Sequence, residues 1–207
     1  MELKMEVDVD EKEEKKSPSR TVTPLEKHMK YFGGNQPEGI SYTSISQQNE
    51  RLGDSWLAAR SNAAIVSAAG GMKVSGCPFS IFKAKHAVGV LNHPQSTRIY
   101  NLDGTINEER WSELLDYAEE NEETNKLVIT EASFYQFLDA CRQQETRSDT
   151  FGIGLKASNG EWSAFFDKFA DTNAEGVRFV SIERLRKFYE DSHEVGEEVE
   201  NRVSKTM

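Results

Sequence analysis

The sequence predicts a mainly α-helical protein of EF-hand-like helix–loop–helix units, with short β-like pairings and disordered charged tails. Two observations carry this prediction. Apolar residues recur at helical spacing in several separate segments, so each segment is expected to form an amphipathic helix with one buried stripe. Short polar loops stand between these segments, each with a glycine or a β-like apolar run, and this alternation is the layout of an EF-hand.

Charged stretches mark the two ends of the folded region. Residues 1–22 mix Glu, Asp and Lys without an apolar face, which predicts a disordered charged tail. Residues 193–207 have the same character and are predicted to form an acidic tail, with a helix that frays into solvent as the alternative. The folded part is then residues 23–192, and a length of 207 residues suggests one compact domain, or at most two small ones.

The apolar stripes give the helices in chain order. The first stripe holds Leu25, His28, Met29 and Phe32, and the next holds Phe79, Phe82 and His86, so each of them carries a histidine. The remaining stripes are Trp111, Leu114, Leu115 and Ala118; Phe134, Phe137, Leu138 and Cys141; Trp162, Phe165, Phe166 and Phe169; and Ile182, Leu185 and Tyr189. We expect these side chains to form the core, because the apolar stripe of a helix has to be buried.

Four loops separate the predicted helices. They lie at residues 37–42, 101–106, 126–131 and 171–177. The third is a short β-like apolar run that ends in Thr130, a residue type suited to cap the helix that follows. Four such loops suggest two paired helix–loop–helix modules.

These loops have lost oxygen ligands that calcium requires. An EF-hand loop uses ligands at positions 1, 3 and 5 and a bidentate glutamate at position 12. The first loop, counted from Gly33, has no ligand at position 1 or position 12. In the last loop Asp171, Asn173 and Glu175 are weak calcium candidates at positions 1, 3 and 5, but position 12 is an isoleucine. We therefore expect calcium binding to be lost or weak.

Composition excludes several classes of partner. A formal net charge of −10 gives no electrostatic basis for binding nucleic acid, whose affinity rests on phosphate neutralisation. Only two cysteines occur, Cys77 and Cys141, so a reducing compartment is expected. The N-terminus has no apolar segment typical of a secretory signal, and no run of roughly 20 apolar residues is present to span a membrane. We therefore expect a cytoplasmic protein.

Several short segments form a recognisable series along residues 23–192. Two of them carry the histidines, Leu25-Glu-Lys-His-Met-Lys-Tyr-Phe32 and Ile81-Phe-Lys-Ala-Lys-His86. The others are Tyr100-Asn-Leu-Asp-Gly104, Phe151-Gly152 followed by Ala157-Ser-Asn-Gly-Glu-Trp162, and Leu185-Arg-Lys-Phe-Tyr-Glu-Asp-Ser192. In this order the segments resemble those of the caleosin family, whose members include heme peroxygenases.

The resemblance implies an enzyme that moves an oxygen atom. In peroxygenases of this family a histidine-held heme takes oxygen from a fatty-acid hydroperoxide and delivers it to an unsaturated lipid or a similar small molecule. By resemblance, His28 and His86 are the catalytic and heme-binding residues. Only one of them can be a permanent iron ligand in such an enzyme, because two would leave no coordination position for the peroxide. The other is then available as an acid–base group.

Departures from the family pattern leave an alternative open. The family usually keeps a calcium loop after the first histidine, and it carries a hydrophobic hairpin with a proline knot where this chain has the polar or Ala/Gly-rich stretch Ser46–Gly76. Leu57–Gly71 stays a candidate for peripheral contact with a lipid droplet or the endoplasmic reticulum. The alternative is a non-catalytic, EF-hand-like lipid-surface or interaction protein that has lost calcium and heme. His28 and His86 would then be core-edge imidazoles bonded to backbone carbonyls.

Overall fold

A computed structural model describes residues 21–33, 41–75, 97–143 and 153–206. Helices α1 to α8 span, in order, Pro24–Gly33, Tyr42–Arg51, Trp56–Ser75, Glu108–Leu115, Glu131–Gln143, Ile153–Phe169, Ile182–Glu190 and Ser192–Thr206. Strands β1 to β4 span Glu119–Asn121, Lys126–Thr130, Asp171–Thr172 and Arg178–Ser181. The prediction of a mainly helical fold with short β pairings is confirmed. The predicted tail over residues 1–22 falls almost wholly outside the described residues.

The four strands form one small antiparallel sheet in the order β1–β2–β4–β3. β1 and β2 form a hairpin between α4 and α5, and β3 and β4 form a second hairpin between α6 and α7. The central pair aligns Ile129 of β2 with Val180 of β4, and both side chains are fully buried. This pairing therefore joins two helix–hairpin–helix halves around one apolar centre.

Aromatic side chains of α5, α6 and α7 form the middle of the core. The ring centroid of Phe134 lies 4.3 Å from that of Trp162 and 5.7 Å from that of Phe166. The predicted stripe residues of these helices are all buried: Phe134, Phe137, Leu138, Cys141, Trp162, Phe165, Phe166, Phe169, Ile182, Leu185 and Tyr189. The prediction that they are core residues is confirmed, and each large apolar side chain contributes about 1.5–3 kcal/mol by leaving water.

The boundaries of α4 and α5 follow from local hydrogen bonds. The hydroxyl of Thr130 accepts the backbone N–H of Ser133 at 3.2 Å, which confirms the predicted cap of α5. α4 ends at Leu115, one turn before the predicted stripe ends at Ala118. The backbone N–H of Ala118 donates to the carbonyl of Leu115 at 3.0 Å, so the chain leaves the helix through a tight i,i+3 turn.

The C-terminal stretch forms helix α8, so the prediction of a disordered acidic tail over 193–207 is wrong. Val195 and Val199 lie one turn apart on α8, and both are buried although charged residues surround them in the sequence. α8 packs against α1 and α7, so it is a fixed part of the domain and not the fraying helix of the alternative. Two apolar side chains at helical spacing anchor it.

Helix α3 contains the stretch Leu57–Gly71 and packs mainly against α2. Ala59 and Ala63 are fully buried on the packed side. Three larger side chains of the same helix, those of Trp56, Leu57 and Ile65, are 62%, 68% and 48% exposed. Among the helices that the structure describes, none combines the length and the apolar character needed to cross a membrane.

Candidate functional site

His28 lies in α1 at the centre of a small group of aromatic rings. Its side chain is buried, as its place on the apolar stripe predicts. The centroid of its imidazole lies 5.3 Å from the ring of Phe32, 6.0 Å from that of Tyr100 and 5.1 Å from that of Phe188. We call these three rings the aromatic shell of His28. Phe188 belongs to α7, so the histidine occupies the contact between α1 and α7.

A hydrogen bond connects His28 to the start of α8. Its Nδ1 lies 2.5 Å from Oγ of Ser192, which is fully buried. The Ser192 hydroxyl in turn donates to the backbone carbonyl of Phe188 at 2.6 Å. The carbonyl expected beside a core-edge histidine is therefore replaced on this side by a hydroxyl, which passes the hydrogen bond on to a carbonyl of α7.

Two buried tyrosines extend this cluster. The Tyr100 hydroxyl donates to the backbone carbonyl of Tyr189 at 2.7 Å, and the Tyr189 hydroxyl lies 3.5 Å from Oγ1 of Thr97. Burial raises the pKa of both phenols far above the ordinary value for tyrosine. Tyr100 therefore stays protonated beside His28 and acts as a neutral hydrogen-bond donor and an apolar wall.

His86 and its stripe partners Phe79 and Phe82 lie outside the described residues. Of the two predicted heme-binding histidines, the described residues therefore include His28 and its surroundings. Three of the four residues of its stripe, Leu25, His28 and Met29, are buried in α1, and the fourth, Phe32, is partly buried against the core.

The weak calcium candidates lie in the β3–β4 hairpin. The side-chain oxygen of Asn173 accepts the backbone N–H groups of Glu175 and Val177 at 3.1 and 2.8 Å. Gly176 completes this turn with a φ of +81°, a conformation that favours glycine. The carboxamide oxygen of Asn173 is therefore already committed to holding the turn.

The guanidinium group of Arg184 places a positive charge beside Asp171, one of the calcium candidates. Nη1 of Arg184 lies 3.8 Å from Oδ2 of Asp171, and Nη2 of the same residue lies 2.6 Å from Oε1 of Glu198. Within the described ranges, no group of three or more His, Cys, Asp or Glu side chains is arranged to hold a metal ion. The positive charge at this hairpin is supplied by the chain itself.

Cys141 is a buried thiol in the core, as its position on the α5 stripe predicts. Its Sγ lies 3.7 Å from Nη1 of Arg110, but burial outweighs the guanidinium and raises the pKa of the thiol. A protonated, enclosed thiol is a poor nucleophile, so Cys141 offers no second catalytic centre.

Comparison of the chain with models of known protein families, with curated proteins and with solved structures gives no match. The case for a function therefore rests on the geometry around His28 and on the caleosin-like segments of the sequence.

A calcium titration is expected to give no saturable change in tryptophan fluorescence below millimolar calcium. Asn173 is engaged in its turn and Arg184 faces Asp171, so a calcium ion would have to displace a positive charge. Asp171→Ala should leave the titration unchanged. A saturable response below millimolar calcium that Asp171→Ala removes would show that this hairpin binds the ion.

Proposed function

We propose that the chain is a caleosin-like, heme-dependent peroxygenase. It transfers an oxygen atom from an organic hydroperoxide, such as a fatty-acid hydroperoxide, to an unsaturated lipid or a similar small molecule. The observation that carries the proposal is the state of His28: a buried imidazole, walled by aromatic rings and oriented through Nδ1, within the first caleosin-like segment.

The chemistry around His28 fits an axial ligand of heme. A ligating histidine commonly bonds through its second ring nitrogen to a neighbouring group, which fixes the orientation of the ring. Ser192 supplies that bond, and Phe32 and Phe188 supply apolar surface of the kind that a porphyrin covers. The bound heme would supply the oxygen-transfer chemistry. The chain would hold it through His28, keep water from the imidazole and offer His86 as the acid–base group.

The overall reaction indicates which molecules the site has to accommodate. The O–O bond of the hydroperoxide breaks, one oxygen atom joins the acceptor and the hydroperoxide leaves as an alcohol. Fatty-acid hydroperoxides and unsaturated lipids carry long apolar chains, so an apolar approach to the site suits them. A cytoplasmic enzyme that touches lipid droplets or the endoplasmic reticulum at their surface would meet such substrates where they are concentrated.

The proposal includes an EF-hand-like origin for the two helix–hairpin–helix halves. Each half places a short hairpin between two helices, and the antiparallel β2–β4 pairing joins the two hairpins. Arg184 lies in the first turn of α7, the part of an EF-hand that supplies the bidentate glutamate. On this interpretation the ion pair of Arg184 with Asp171 replaces the bound cation, and the scaffold holds its shape without calcium.

A second candidate is a non-catalytic protein that uses the same scaffold at a lipid surface or with a protein partner. The specific observation in its favour is that α3 exposes three large apolar side chains, those of Trp56, Leu57 and Ile65. Tryptophan and leucine at one helix end are typical of contact with a membrane interface. The two candidates differ in whether the chain binds heme.

Oxygen transfer tests the enzymatic proposal. With heme bound, the chain is expected to convert cumene hydroperoxide to cumyl alcohol while aniline is oxidised. His28→Ala should lower this rate by at least about 100-fold, the lower range for loss of a positioned catalytic histidine. His193→Ala is the matched control, because that side chain is 65% exposed on α8.

Three results would contradict this proposal. A rate no higher than that of an equal amount of free heme, or an equal rate for His28→Ala and the unchanged chain, would reject the peroxygenase. Acetophenone in place of cumyl alcohol would also reject it, because acetophenone arises when the O–O bond breaks into radicals.

A further inference from the structure

Ser192 lies at the junction of α7 and α8, and its one hydroxyl proton has a fixed destination. Oγ of Ser192 lies 2.6 Å from the carbonyl oxygen of Phe188. A carbonyl oxygen can only accept, so the serine proton points along this contact. The serine oxygen therefore has only its lone pairs to offer to any second neighbour.

That second neighbour is Nδ1 of His28, at 2.5 Å from Oγ. Because the serine hydroxyl already donates its proton to the Phe188 carbonyl, Nδ1 has to carry the proton of the His28–Ser192 hydrogen bond. A neutral imidazole protonated at Nδ1 carries its lone pair at Nε2.

We infer that Ser192 is a positioning residue that fixes His28 as the Nδ1–H tautomer and so assigns Nε2 as the atom that coordinates a metal or accepts a proton. The relay runs from the Phe188 carbonyl through the Ser192 hydroxyl to the imidazole. Its consequence for heme rests on the proposed function, whereas the tautomer is a property of the chain without heme.

Nitrogen-15 NMR of histidine-labelled protein without heme at pH 8 tests this assignment. His28→Gln identifies the signals of His28 by their loss. In the unchanged chain, Nδ1 of His28 is expected at a protonated shift and Nε2 at an unprotonated shift. Ser192→Ala should lower the ratio of the Nδ1–H to the Nε2–H form by roughly 2- to 10-fold, the effect of one hydrogen bond.

Two further variants separate positioning from folding. Ser192→Thr keeps the hydroxyl and should restore the Nδ1–H signature. Ser204→Ala is the matched control. Ser204, like Ser192, donates its hydroxyl to a backbone carbonyl, that of Asn201 at 3.1 Å, but it is exposed and lies at the other end of α8. It should leave the His28 signals unchanged.

The spectrum of the unchanged chain decides the matter even where Ser192→Ala does not fold. An Nε2–H or doubly protonated His28 at pH 8 would overturn the inference, as would an unaltered Nδ1–H signature in a folded Ser192→Ala variant. If the Nδ1–H tautomer is found and heme does not bind, the relay stands and the peroxygenase proposal fails.

Discussion

Gly196→Ala is expected to lower the free energy of unfolding by about 2–4 kcal/mol, near the upper end of the cost of overpacking a core. A Cβ at Gly196 of α8 would lie 2.0 Å from Oη and 2.1 Å from Cζ of Tyr31. Tyr31 is buried on α1, and its hydroxyl donates to Glu200 at 3.3 Å. In the alanine variant the Tyr31 ring would have to move. The cost of this movement outweighs the roughly 1 kcal/mol that alanine contributes over glycine in a helix.

Gly160→Ala is the matched control for this prediction. Gly160 is also a glycine inside a helix, α6, but a Cβ there would meet no neighbouring group within 4 Å. The variant should raise the free energy of unfolding by about 0.5–1 kcal/mol through helix propensity alone. Urea unfolding measures both values. A Gly196→Ala variant as stable as Gly160→Ala would show that α8 does not pack against Tyr31.

His28→Ala is expected to weaken heme binding by at least about 100-fold. Loss of an outer partner of a metal ligand alone costs 10–100-fold in affinity, and loss of the ligand should cost no less. Heme titrations of the variant and of the unchanged chain give the ratio of dissociation constants. His193→Ala should leave the affinity unaltered, because His193 lies on the exposed side of α8.

Thermal unfolding followed by circular dichroism accompanies this comparison. The Ser192 hydroxyl loses one acceptor role in His28→Ala but keeps its bond to Phe188, so the variant is expected to fold. Equal heme affinity of a folded His28→Ala variant and the unchanged chain would remove His28 from the site. The non-catalytic interpretation would then be the better one.

Much of the helical core follows from periodicity in the sequence. The stripe Phe134, Phe137, Leu138 and Cys141 is buried along its whole length, because four apolar residues on one face leave α5 a single way to pack. The β-like run at Lys126–Thr130 forms β2, and Thr130 caps α5 as its residue type predicts. Local patterns are enough to predict these elements, although β2 also pairs with the distant strand β4.

Helix α8 was predicted only as an alternative that frays into solvent, because its apolar signal is sparse. Val195 and Val199 are its buried anchors, and the charged residues between them resemble a solvated tail. What fixes α8 is a surface on α1 and α7 that the local sequence does not reveal. The closest local signal is Gly196, a helix-interior glycine that leaves room for Tyr31.

Local sequence likewise predicts only part of the candidate site. Helical spacing predicts that His28 is buried, since Leu25 and Met29 share its face. Phe32 is a local partner of His28 on the same helix, but its other partners come from 72 to 164 positions away in the chain, the distances to Tyr100 and Ser192, so no local pattern could supply them. The Arg184–Asp171 ion pair is likewise set by the β3–β4 hairpin, whereas the missing ligand at position 12 is visible in the sequence.

One measurement tests the central claim that this chain is a heme protein. Heme is titrated into the purified chain, and the Soret absorption band is followed against the same titration of buffer. We predict a saturable, red-shifted band with one heme per chain and micromolar or tighter affinity, lost in His28→Ala. Absence of a protein-dependent band, or a band that persists unchanged in His28→Ala, would contradict the account.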